Sequence, residues 1–315
     1  MRILICNDDG IHAEGMHRLA AQLAPHCDLL VVCPEKASSA SSHSVTLHKP
    51  IRLRKLPRFN EEIYQPSCKV EAYSCSGKPG DCVTIGLLHL SKDNPVNLVL
   101  AGINHGSNVA EDLTYSGTVG AALEGAVLGV PSIALSFDNA SGGTLSEAAA
   151  LADLLLSALV YGAFFPWHEE ALGRLPSTAL AGEIHDGWPL ARLPKRDGQF
   201  YPSPGEWWPT ATGQTPCLNV NLPGCELELL QGIAWSIGGH REYIDVVKES
   251  TDPRGKKYYW LVGERLTMEQ ELPGSDTNCL LNNVAGVTPI SYDITNYLDR
   301  PRYQALFAER AGPSE

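Results

Sequence analysis

The sequence predicts an α/β protein built on a mostly parallel sheet, with short hairpins toward its C-terminal end. Three observations carry this. The chain opens with an apolar run, a helical stripe and a second apolar run, which is a βαβ pattern. Apolar strand-like runs keep alternating with helical patterns to about residue 160, as parallel sheets require. Beyond residue 231 the strands become short and are punctuated by Gly and Thr, which is more typical of hairpins.

Residues 2–6 read as a buried strand. Residues 14–24 read as a helix, because Met16, Leu19, Ala20 and Leu23 recur at helical spacing. Residues 29–33 form a second apolar strand stopped by Pro34, and the crossover between the two is expected to be right-handed. Residues 96–101 and 132–136 are two further strands. Between them, residues 117–128 (GTVGAALEGAVL) form a small-residue helix that ends before Gly129 and Pro131. Residues 146–160 read as a long apolar helix. Three regions follow from composition: an α/β core over 1–163, a Pro- and Trp-rich insertion over 164–216, and a remainder over 217–315. That remainder is expected to hold one remaining core strand near 218–222, hairpins and a terminal helix over 299–311.

Composition narrows the function classes. With 315 residues and 43% hydrophobic content, the chain supports a sizeable core. Its net charge of −12 argues against binding a nucleic-acid polymer or an anionic membrane surface. A small phosphorylated substrate, needing only a local site and a cation, stays compatible. The nine cysteines are odd in number and include no Cys-x-x-Cys pair, so neither a disulfide framework nor a structural zinc site is expected. Together with the absence of a signal-peptide pattern, this points to the cytoplasm. No stretch approaches the roughly 20 apolar residues of a membrane span.

Chemistry concentrates at the expected strand ends. Asn7-Asp8-Asp9-Gly10 follows the first strand directly, so two carboxylates sit at the carboxyl edge of the sheet, where open α/β sheets bind ligands. Adjacent like charges are best tolerated around a cation, and an oxygen-only set favours Mg²⁺ or Mn²⁺. The same four residues also read as an ordinary Asp-Gly turn. The run from Ser38 to Ser44 reads as a solvated loop, or as a source of one more oxygen ligand. In Asn104-x-Gly106-x-Asn108, one amide oxygen suits the cation and another amide suits a phosphate oxygen, although Asn and Gly are also common turn formers. Tyr115-Ser116-Gly117-Thr118 precedes a helix. It is a cap, and it also offers hydroxyls, N–H groups and a partial positive charge to an anion. His12, His43 and His105 lie nearby and read mainly as hydrogen-bonding residues. Dinucleotide, P-loop, nucleophile-elbow and His-Glu-x-x-His motifs are not found.

These residues resemble the SurE survival-protein family. The similarity begins at Met1 to Gly10 (MRILICNDDG). It continues through Gly15, Pro34, Ser39, Ser42-His43-Ser44, Gly77-Lys78-Pro79-Gly80-Asp81-Cys82-Val83, the segment from Gly102 to Asn108, Tyr115 to Val119, and Glu124-Gly125. Farther on it takes in Leu218 to Pro223, Asp252-Pro253-Arg254-Gly255 with Tyr259-Trp260, Gly274-Ser275-Asp276 and Val287-Thr288-Pro289. The resemblance implies a Rossmann-like three-layer sandwich with a smaller C-terminal part that exchanges extended elements between subunits, in a homodimer or homotetramer. It also implies metal-dependent hydrolysis of nucleoside 5′- and 3′-monophosphates to nucleoside and phosphate, with one divalent cation per subunit, Mg²⁺ or Mn²⁺. The implied ligands are Asp8, Asp9, Ser39 and Asn104, with Asp8 and Asp9 also catalytic. Asn108, Ser116, Gly117 and Thr118 would border the phosphate. Ser39 is singled out of the serine run by the resemblance alone. The 164–216 segment is longer than is usual for the family, and 277–285 follows it loosely. Two other readings remain: a non-catalytic nucleotide or polyphosphate sensor, and a cation-using sugar-nucleotide transferase.

Overall fold

Strand β1 (Arg2–Cys6) is buried at every position. A strand covered on both faces reads as a continuous apolar run, as Ile3 to Cys6 does after Arg2, rather than as an alternation. The computed structural model describes residues 1–57, 59, 69–139, 143–159, 184–185, 188–189, 215–226, 229–244, 247–261, 264–266, 272–296 and 299–301. After β1 come α1 (Glu14–Leu23), β2 (Asp28–Pro34), β3 (Leu53–Lys55), β4 (Val70–Cys75) and α2 (Pro79–Ile85). Next are β5 (Leu98–His105), α3 (Gly117–Val127), β6 (Ser132–Phe137) and α4 (Leu145–Leu159). The two-residue strands β7 (Ile184–His185) and β8 (Trp188–Pro189) pair with each other. The chain then forms β9 (Cys217–Leu222), β10 (Gly232–Trp235), β11 (Glu242–Ile244), β12 (Val247–Thr251), β13 (Lys257–Leu261) and β14 (Glu264–Leu266). It ends, among the described residues, with α5 (Asp276–Leu281) and β15 (Val284–Ile290).

Nine strands form one sheet in the order β10-β15-β9-β6-β5-β1-β2-β4-β3. The run β9-β6-β5-β1-β2-β4 is parallel throughout. Only β3 against β4 and β15 against β9 are antiparallel. Side chains alternate between the two faces at period two. Ile3, Ile5, Leu29, Val31, Leu98 and Leu100 pack on one side with Met16, Leu19 and Leu23 of α1 and with α4. Leu4, Cys6, Leu30 and Val32 pack on the other with Cys82 and Val83 of α2 and Val119, Ala122 and Ala126 of α3. This is the expected three-layer, mostly parallel architecture.

The structure amends the sequence reading in three places. The strand expected at 96–101 runs Leu98–His105, so Asn104 and His105 lie on the strand rather than beyond it. No element was expected at β3, β4 or α2. There Lys55, Glu71 and other polar residues interrupt the apolar pattern, because β3 is an edge strand and β4 is only partly buried. Where one remaining core strand was expected after residue 217, three join the main sheet, and β10 is parallel to β15 with α5 between them. Glycines at 232 and 286 obscured that pattern. The expected hairpins are present as β12 with β13 and β11 with β14. The 164–216 insertion, apart from β7, β8 and residues 215–216, and most of the expected terminal helix lie outside the described residues. Among the described residues, no helix is long and apolar enough to cross a membrane.

Candidate functional site

The ends of β1 and β5, the loop after β2 and the start of α3 meet at the carboxyl edge of the sheet. Asn7, fully buried, shapes the first of these. Its amide donates to Gly10 O at 2.9 Å and its side-chain oxygen accepts from Gly10 N–H at 3.2 Å. Gly10 sits at φ 101°, a region open to glycine at little cost. So the backbone bends at Asp8 and Asp9, presents both aspartates and leads from β1 through a turn at Gly10–Ala13 toward α1.

Asp8 is 4% exposed and accepts the Thr118 hydroxyl on Oδ1 at 2.6 Å. Burial pushes its carboxyl up to about 6; the Thr118 bond opposes this and the neighbouring Asp9 charge adds to it. A carboxylate so placed gains from a compensating positive charge. Asp9 is more open, and its Oδ2 accepts the His105 backbone N–H at 3.3 Å. Asn104, on the same strand tip, donates its amide to Gly106 O at 2.8 Å, which leaves its side-chain oxygen as the group available to a ligand.

Helix α3 supplies the facing wall. Ser116 is its N-cap, and Ser116 Oγ accepts the Val119 N–H at 3.1 Å. The next N–H, from Gly120, bonds Ser116 O. The N–H groups of Gly117 and Thr118 precede that first turn, where a helix has no partner of its own to give them, although Thr118 is itself fully buried. A methyl group at Gly117 would stand 2.9 Å from Asp8 Oδ2 and 2.5 Å from Ser41 Oγ. Only glycine lets the carboxylate and the helix start approach so closely.

The expected residues are not gathered equally. Asp8, Thr118 and Gly117 are in direct proximity, and Asp9 bonds the β5 tip beside Asn104. Ser39 is exposed and makes no hydrogen bond, although its neighbour Ser38 donates its N–H to Asp8 O at 2.6 Å. Asn108 is tied inward. Its amide donates to Ser136 Oγ at 2.7 Å, its N–H to Asn221 Oδ1 at 2.8 Å, and its carbonyl accepts from Asn219 and Asn221. His105 contacts Asn139, and His43 reaches Glu124 Oε2 at 2.7 Å. In the sequence reading, Glu124 and the Asn219–Asn221 pair enter only as parts of resembling segments, with no role of their own; Glu124 also accepts from Thr84 at 2.7 Å. In the sequence Glu124 is one charge on a helix, and nothing there says that it faces a loop eighty residues earlier.

The donor chemistry suits a hard divalent cation: two adjacent carboxylates, one of them buried beside the first N–H groups of α3, with an amide oxygen and hydroxyls nearby. Among the described residues, no group of three or more His, Cys, Asp or Glu side chains gathers as a metal site. A site here would therefore rest on two carboxylates completed by neutral oxygens.

The chain is similar to known proteins over most of its length. The family described as Survival protein SurE matches residues 3–245. A protein of Trichormus variabilis named 5′-nucleotidase SurE is 36% identical over 306 residues, 94% of each chain. One of the same name from Synechococcus elongatus is 36% identical over 304 residues, covering 94% of this chain and 96% of the relative. The crystal structure of the SurE protein from Aquifex aeolicus superposes with a TM-score of 0.68 at 28% identity, over 97% of this chain and 99% of that one. With a matched family spanning most of its length and relatives above 30% identity over nearly all of it, this chain belongs to the SurE survival-protein family.

Proposed function

We infer that this protein is a metal-dependent 5′-nucleotidase, hydrolysing nucleoside monophosphates to nucleoside and phosphate. The observation that carries the reading is the meeting of the Asp8–Asp9 pair with the N-terminus of α3, joined by the Thr118–Asp8 bond. The names of the relatives agree with it. Asp8, Asp9, Asn104 and Ser39 would hold the cation, Mg²⁺ or Mn²⁺, one per subunit. When bound, it supplies Lewis-acid polarisation of a phosphoryl oxygen and a more acidic water.

The protein's own groups do the rest. Gly117 and Thr118 N–H groups donate to phosphoryl oxygens and stabilise charge as the ester bond breaks, with α3 adding its positive end. The Thr118 hydroxyl holds Asp8 in one orientation. The Asp8–Asp9 pair takes up the proton of the attacking water. Asn108 ties the segment that follows β5 to β6 and β9, and one of its amide hydrogens is left to border the phosphate. Ser116 sets the helix start. The cytoplasm is the compartment that fits the eight buried free thiols among the described residues. Assembly as a homodimer or homotetramer fits the exposed aromatic hairpin described below.

Phosphate release from a panel of nucleoside monophosphates, with and without added Mg²⁺ or Mn²⁺, tests the reading. Cation-dependent release from at least one 5′-monophosphate is expected. Tight nucleotide binding with no release under any cation would favour a sensor instead.

A further inference from the structure

Ser41 lies in the loop after β2, and its hydroxyl is buried with no hydrogen-bond partner. A buried hydroxyl without a partner is unfavourable, and such groups call for a reason. The surrounding loop is firmly placed. Ser38 N–H bonds Asp8 O, Ser42 N–H bonds Tyr115 O at 2.9 Å, and Ser42 Oγ donates to Thr114 O at 2.7 Å. His43 is fixed to Glu124, and the Thr46 N–H bonds Asp81 Oδ1 at 2.8 Å. The residues on either side of Ser41 adopt left-handed backbone, Ala40 at φ 53° and Ser42 at φ 52°, although neither is glycine. That conformation is strained for L side chains and persists only where the surroundings enforce it. The result turns Ser41 inward, against the first residue of α3 and beside Asp8.

We propose that Ser41 Oγ is a third donor to the phosphoryl group of the substrate, beside the N–H groups of Gly117 and Thr118. The placement favours an anion over the cation. The hydroxyl abuts the helix start, whose partial positive charge attracts phosphate, and it carries a proton to donate to an anion. Engagement asks only for rotation about the Ser41 χ1 bond or a small lift of the Ser39–Ala40 tip, whose two residues are exposed. Anion binding then gives the orphaned hydroxyl its partner. This inference rests on the nucleotidase reading above.

Ser41→Ala separates it from a packing role. Inorganic phosphate is the probe, in the presence of Mg²⁺, with affinity read by calorimetry and stability by thermal unfolding. The expected result is a phosphate Kd raised about tenfold, the effect of losing one hydrogen bond to a charged group. Without phosphate the variant is expected to unfold at the wild-type temperature or above it, because an unpaired buried hydroxyl has gone. Mg²⁺ affinity in the absence of phosphate is expected to stay the same. Unchanged phosphate affinity overturns the proposal, as does a loss confined to Mg²⁺ affinity, which would make Ser41 a cation ligand. Wild-type protein that binds no phosphate at all would strike instead at the nucleotidase reading.

Discussion

Asp8 is at once the most buried carboxylate of the site and the one that its surroundings least favour as an anion. Removing the charge while keeping the shape isolates what that charge does. Asp8→Asn is expected to lower phosphate release by roughly three orders of magnitude or more, since several kcal/mol of transition-state stabilisation is at stake. Its fold should be retained. Asp8 ionises near pH 6 in the native protein instead of the usual 3.8, so its contribution to stability is present below pH 3.8 and lost as pH rises through 6. Metal-free Asp8→Asn at pH 7 is thus expected to melt no lower than wild type. Near wild-type turnover in Mg²⁺ or Mn²⁺ would defeat the assignment. Asn104→Ala tests the neighbouring amide oxygen: the cation concentration for half-maximal activity is expected to rise about tenfold, and an unchanged requirement counts against a ligand role. Asp8, Asp9 and Asn104 were all legible in the sequence because they follow or end apolar strands. Ser41 was not, because nothing in a run of five serines says which hydroxyl the backbone turns inward.

At the scale of elements, the site depends on a loop and a helix that are far apart in sequence. Glu124 joins them. One oxygen takes His43 from the loop after β2 and the other takes Thr84 from α2, so three segments meet at one side chain of α3. The His43 hydrogen bond, aided by Thr84, holds the Glu124 carboxyl below its usual range. The stability it provides is present above about pH 4.5, the ordinary glutamate value, and is lost as pH falls through the lower native value. A melting-temperature profile of Glu124→Gln between pH 3 and pH 7 is expected to fall less steeply on the acid side than that of wild type. Superimposable slopes would remove Glu124 as the anchor. Helix α3 itself was readable from its small residues and its Ser116 cap. Its role as a floor for the serine loop was not, since Gly120 reads as a helix weakener until the loop backbone at Ser42 and His43 is seen against it.

The whole molecule divides into a part whose pattern speaks plainly and a part whose pattern does not. The parallel core was legible because strands buried on both faces must be continuously apolar, as in β1, β2, β5 and β6. The C-terminal strands were misjudged because β10 and β15 reach the sheet from short Gly-containing segments, one at the edge and one beside β9. The hairpin of β12 and β13 presents the opposite problem. Tyr258, Tyr259, Trp260 and Leu261 are all exposed in the single chain, Leu261 to 80%. A two-stranded hairpin with both faces in water is marginal by itself, and exposed aromatic strands usually mark an interface. This exposure is what supports the proposed homodimer or homotetramer, and it can be tested at the hairpin itself. Trp260→Ser combined with Leu261→Ser is expected to shift the protein to a smaller species in sedimentation at micromolar concentration. The four candidate site residues Asp8, Asp9, Asn104 and Thr118 lie just past β1, on β5 and in α3, and none belongs to the hairpin, so metal binding in the variant should stay near wild type. A sedimentation profile identical to that of wild type would leave the hairpin without a role in assembly. Loss of metal binding along with the partner would mean that the site needs the assembled protein to hold its shape.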